Sequence, residues 1–192
     1  MIFSLILIIS VGVCKMDRRT FIGMTAVIGL SVSVFGNSSA TAIVTLTEAQ
    51  KASLLFMYQE EKVARDVYII LGAKYPNATT FANIAVSEQQ HIDAVESLCK
   101  KYSVDISKIN ENKIGEFVLP ELQTLYDTLV AKGSISLRDG LQVGVAIEEK
   151  DIIDILCVEV GMPADIVKVF ENLRAGSMSH LSAFNNALSE LK

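Results

Sequence analysis

Four long stretches of this chain repeat apolar residues at alternating steps of three and four, and each repeat is broken near its middle by polar residues. The first stripe reads Leu54, Met57, Glu61, Ala64, Tyr68, Leu71, and the second Phe81, Ile84, Glu88, His91, Val95, Leu98. The third is Leu141, Gly144, Glu148, Asp151, Ile155, Val158, and the fourth Ile166, Phe170, Leu173, Ser177, His180, Phe184, Ala187, Leu191. Such spacing keeps each set on one face of an α-helix. A chain built from four such faces must bury them against one another.

The punctuation agrees. A capping box of Thr47 and Gln50 predicts the first helix start, and Pro76-Asn77 stops that helix near Tyr75. The second helix is predicted to start after Thr79-Thr80 and to run to about Tyr102. Residues 103–119 are polar and irregular, and a short helix from Pro120 to about Ala131 ends at Gly133. The third long helix spans roughly Ser136–Glu159. Gly161-Met162-Pro163 then turns the chain into the fourth, with Pro163 in its first turn and Gly176 loosening it midway. Two short turns and one long crossover predict an all-α four-helix bundle, with the short helix inside the crossover.

The polar interruptions carry the chemistry. One unpaired carboxylate buried in a core costs several kcal/mol, and neighbouring like charges add to it. Glu61, Glu88, Glu148 and Asp151 bring a formal charge of −4, which two divalent cations neutralise. Glu88 and His91 stand at i and i+3, so both point the same way. Carboxylate and imidazole together suit iron or manganese. Both histidines of the 192-residue chain, His91 and His180, fall on these stripes.

Glu61–Tyr68, "EKVARDVY", resembles the E-x-x-A-R-x-x-Y motif of rubrerythrin-like proteins in the ferritin-like superfamily, and Glu88-x-x-His91 matches their second-helix motif. The resemblance covers most of residues 46–191 as architecture and is at motif level on the first two helices. It implies a ferritin-like four-helix bundle and a di-iron or di-manganese site. Glu61 and Glu148 would be the single-helix ligands, Glu88 and His91 the first pair, and His180 half of the second. Ser177 departs from the family, which has Glu there; Asp151, one turn after Glu148, could replace the charge, or else the site holds one metal. The rubredoxin-like cysteine module of rubrerythrin is absent. The implied partners are a small oxidant, O₂ or H₂O₂, or Fe(II).

Alternatives adjoin two of the ligands. Glu60 lies on a second apolar line with Phe56, Val63 and Val67, and Glu149 on one with Val145, Ile152 and Leu156. Tyr68, two turns from Glu61, reads as a core aromatic with a satisfied hydroxyl, or else as a hydrogen-bond donor to the site or a radical carrier. Arg65 reads as a surface arginine, or as a partner of Glu61 or of Asp66 on a neighbouring chain. Cys99 and Cys157 stand at similar heights in such a bundle but at different azimuths, so two buried thiols are expected and not a disulfide.

Residues 1–42 read as an address preceding a single domain, 43–192. "DRRTFIG" resembles a twin-arginine export signal through Arg18, Arg19 and Phe21, and Ala40-Thr41-Ala42 is a small-x-small cleavage site. Met16 is a second candidate start. The other outcome for this segment is an uncleaved membrane anchor. A net charge of −5 with no basic stripe argues against a nucleic-acid partner. A homodimer is compatible with the sequence. The expected function is thus an exported di-metal redox protein. The alternative is a helical binding or structural module whose site has lapsed.

Overall fold

The computed structural model describes residues 44–191. The expectations for residues 1–42 lie outside them. Among the described residues there are five helices and no strand: α1 Glu48–Lys74, α2 Thr79–Lys101, α3 Pro120–Gly133, α4 Leu137–Val158 and α5 Ala164–Glu190. None is long and apolar enough to cross a membrane.

Local chemistry sets the boundaries. The Thr47 hydroxyl accepts from Gln50 N at 3.2 Å, while the Gln50 side chain accepts from Thr47 N at 2.8 Å, completing the capping box. Gln50 Nε2 also donates to Gly161 O at 2.8 Å, tying the start of α1 to the α4–α5 turn. Ser136 caps α4 by accepting from Asp139 N. Gly161 turns the chain with φ +77°, a left-handed conformation that glycine adopts without cost. Pro163 sits at the N-cap of α5, one residue before the predicted first turn.

The helix α1 packs along α2, and α4 along α5; α2 also meets α5, α1 meets α4, and α3 lies against α1 and α4. Every stripe residue from Leu54 to Phe184 is buried, and Ala187 and Leu191 are half-buried. Each fully buried Leu or Phe among them contributes about 1.5–3 kcal/mol. Tyr68, Phe81 and Phe184 form one aromatic cluster, with ring centroids 5.1–6.4 Å apart. Gly144 makes room for it, since a Cβ there would lie 2.5 Å from the Phe184 ring.

All residues of α1 from Phe56 to Tyr68 are buried, because the segment between α2 and α3 covers the side away from α2 and α4. That segment is pinned by polar residues of α1. Gln59 Oε1 accepts from Val118 N and Leu119 N at 2.7 and 3.2 Å. Lys62 donates to Lys113 O at 2.8 Å and to Asp66 at 2.6 Å, and Asp66 accepts from Gly115 N at 2.9 Å. The Lys62 ammonium and the amides of Gly115, Val118 and Leu119 thus find acceptors.

Arg65 corrects an expectation. It is buried and pairs with Asp66 of its own chain at 2.8 Å, and it donates to Glu111 O and Gln89 Oε1 at 2.7 and 2.5 Å. It therefore ties α1 to α2 and to the crossover, and it does not bond Glu61. Cys99 is a buried free thiol, so no Cys99–Cys157 bridge forms, while Cys157 is half-buried where burial was expected.

Candidate metal centre

The interrupted stripes bring their polar residues together. Ligand atoms of Glu61, Glu88 and His91 lie within 4.8 Å of one another, and so do those of Glu88, Glu148 and His180. Glu88 belongs to both groups. His91 Nδ1 stands 2.8 Å from Glu88 Oε2 and 3.2 Å from Glu61 Oε2. His180 Nδ1 stands 2.9 Å from Glu88 Oε1 and 3.6 Å from Glu148 Oε2. The two oxygens of one carboxylate thus face two different imidazoles. The rings stack, with centroids 5.4 Å apart at 30°.

Asp151 stands outside both groups. Its Oδ2 accepts from Ser177 Oγ at 2.5 Å, so the α5 position without a carboxylate holds one that comes from α4. Tyr68 donates to Glu148 Oε1 at 2.6 Å. It is a core aromatic and a hydrogen-bond donor to the site at once.

The neighbouring acids settle differently. Glu148 is buried in the cluster and Glu149 is half-buried outside it. Glu60 is also buried, but on another side of α1, where it and Asp154 pair with Lys150. This triad was missed by sequence reasoning, although Lys150 and Asp154 share the i, i+4 spacing of an ion pair.

Burial raises the pKa of the acids, and their mutual repulsion adds to it. Glu61 is pushed up to about 6 and Glu148 to about 8, in each case by burial first and then by the Glu88 charge, with a histidine opposing. Asp151 is held well above the usual carboxylate range by burial and by Glu61 and Glu60, against the Ser177 hydrogen bond. Glu88 goes the other way, down to about 2, because its contacts with both imidazoles outweigh burial. Burial opposes charge on the histidines, yet their acids lift His91 to about 11 and His180 to about 9.

Glu61 Oε1, Glu88 Oε1, Asp151 Oδ1 and His180 Nδ1 are buried without a hydrogen-bond partner. Glu88 Oε1 and His180 Nδ1 are close to each other but out of hydrogen-bonding alignment. Buried polar atoms are ordinarily paired. Three of these atoms belong to residues of the two groups, and electron-pair donors left without a hydrogen-bond partner are what a cation site requires, so the residues of the groups fit divalent ions.

The family model described as "Uncharacterized protein domain (DUF2202)" matches residues 50–191, from the first turn of α1 through α5. This chain belongs to the DUF2202 family. It is 41% identical over 145 residues to "Uncharacterized protein MJ0754" of Methanocaldococcus jannaschii, which spans 75% of this chain and 77% of that protein. A crystal structure titled "hypothetical protein MJ0754 from Methanococcus jannaschii DSM 2661" superposes with a TM-score of 0.72. That match covers 76% of this chain and 83% of the other, at 41% identity. The matched region of the DUF2202 family includes every residue of both ligand groups.

Proposed function

We propose that this protein is an exported di-metal carboxylate protein of the ferritin-like superfamily, rubrerythrin-like in its site, that acts on O₂ or H₂O₂ or oxidises Fe(II). In this reading α1, α2, α4 and α5 are the four bundle helices and α3 belongs to the crossover. Glu88 carries the argument, because it is shared by two carboxylate–imidazole groups and offers one oxygen to each. One ion would rest on Glu61, Glu88 and His91, the other on Glu88, Glu148 and His180. Asp151 supplies the fourth negative charge. Iron and manganese suit this donor set.

When bound, the ions would supply the electron chemistry toward the oxidant or Fe(II). The chain's own residues prepare the place. Tyr68 fixes Glu148 through its hydroxyl. Ser177 holds Asp151 on the α4 side. Met57, Val95, Ile155 and Leu173, one turn away on the four stripes, are buried and exclude water. Residues 1–42 would serve as a twin-arginine-like export signal or anchor for the 43–192 domain, and that route would let a folded chain leave with its ions bound.

One observation favours a second reading. His91 and His180, when protonated, offset two of the four acid charges without any metal, and Ser177 stands where a carboxylate is expected on α5. A helical binding or structural module with one ion or none would look like this. Elemental analysis of the purified protein beside its Glu88→Ala and His91→Ala variants separates the two. Two equivalents of iron or manganese, lost in Glu88→Ala and reduced in His91→Ala, support the di-metal reading. Absence of metal in all three, with unchanged stability, supports the second. Peroxide consumption by the loaded protein then tests the chemistry.

A further inference from the structure

We infer that Ser87 is a positioning residue for His180, holding the ring so that Nδ1 and not Nε2 faces the centre. This rests on the two-ion reading above. Ser87 Oγ lies 2.8 Å from His180 Nε2, on the side of the ring opposite the nitrogen that faces Glu88 and Glu148. A neutral imidazole with its proton on Nε2 keeps a lone pair on Nδ1. With Nδ1 given to an ion, the ring's remaining proton is on Nε2, and Ser87 Oγ is placed to accept it and hold the orientation in which Nδ1 is the ligand.

The other histidine is held by a different device. His91 also turns Nδ1 inward, but its Nε2 lies against the backbone of α5 at Gly176. A Cβ on Gly176 would come within 2.5 Å of Nε2 and 2.8 Å of Cε1. Packing against glycine fixes one ring; a hydroxyl fixes the other. Ser87 adjoins Glu88 on α2, so this helix supplies the shared carboxylate and also aims the imidazole that α5 contributes from across the bundle.

Titration of the metal-free full-length protein with Mn(II), alongside Ser87→Ala and Ser87→Thr, tests this. In Ser87→Ala one of two sites weakens by about 10- to 100-fold while the other holds, and Ser87→Thr, which restores a hydroxyl, returns it toward the original affinity. Wild-type affinity at both sites in Ser87→Ala overturns the inference, and so does a loss that Ser87→Thr does not reverse. If the unmodified protein takes up no Mn(II), it is the two-ion reading that fails. Nitrogen–proton correlation spectra of the imidazoles at alkaline pH then decide on Ser87 alone. A His180 proton on Nε2 in the unmodified protein and redistributed in Ser87→Ala supports the inference; identical tautomers in both overturn it.

Discussion

Two clusters of buried charge lie back to back on α1 and α4, and adjacent residues separate them. Glu60 and Lys150 belong to one, Glu61 and Asp151 to the other. In the first, the Lys150 ammonium lies between Glu60 and Asp154 and 5.3 Å from the centre of the Phe56 ring. In the second, Glu61, Glu88 and Glu148 face two imidazoles and Asp151 bonds Ser177, and among the described residues no lysine or arginine pairs with these four acids. The ammonium is a lasting cation, and its acids raise its pKa further against the opposing effect of burial. An imidazole can give up its proton and become a ligand. A core that uses lysine has committed its countercharge; a core that uses histidine leaves the choice between proton and metal ion open.

The largest test of this contrast is Glu88→Ala. Removing the shared carboxylate should take metal content from two equivalents to nearly none by elemental analysis, with helix content by circular dichroism unchanged. Retention of both ions would erase the distinction between the clusters.

Next is pH. Below its folded pKa, each raised group holds a proton that an ion must displace. Affinity should therefore climb as pH rises through about 8 and 9, where Glu148 and His180 titrate, and on toward 11 for His91. Each displaced proton changes it by about tenfold per pH unit. Metal titrations in two buffers of different ionisation heat would show the proton release; a pH-independent affinity would contradict the pairing described here.

Lys150→Met sharpens the comparison from the other side. Two acids would be left buried without their cation, at a cost of about 3–5 kcal/mol in urea unfolding, while metal uptake stays at two equivalents. Gly176→Ala should cost less, about 1–3 kcal/mol from overpacking, and should weaken the ion beside His91 more than the one beside His180. Smallest is the behaviour of Cys99, whose thiol is pushed up to about 12 by burial and by the Glu96 charge. It should resist alkylation at neutral pH until the protein unfolds, which mass spectrometry with and without denaturant would show.

Much of the helical layout could be seen in the chain before folding. Helix ends agree with their caps and breakers to within a residue or two, since Thr47, Pro76, Ser136 and Gly161 act on their immediate neighbours. Glu61 was favoured over Glu60 by the motif around it, and Glu148 over Glu149 because Asp151 follows on its face; Glu61 and Glu148 are the two that lie in the ligand groups. Other features depended on partners distant in sequence. Gly176 was expected to loosen its helix, yet α5 runs through it and the glycine makes room for His91. Arg65 looked exposed because its acceptors, Glu111 O and Gln89, come from other segments. Ser87 carried no signal at all, because it precedes a stripe residue and is not part of the stripe.

By itself, then, the sequence determined the helices and the face that each one buries, because a period of 3.6 residues and local capping are properties of neighbouring residues. It also determined that acids and imidazoles enter the interior. Only the tertiary structure decided which acid meets which base: Glu60 with Lys150, Arg65 with Asp66, His91 with Glu61 and Glu88, His180 with Glu88 and Glu148. Charge pairing acts across helices over a few ångströms, and no spacing along one chain segment records how its neighbours are rotated against it.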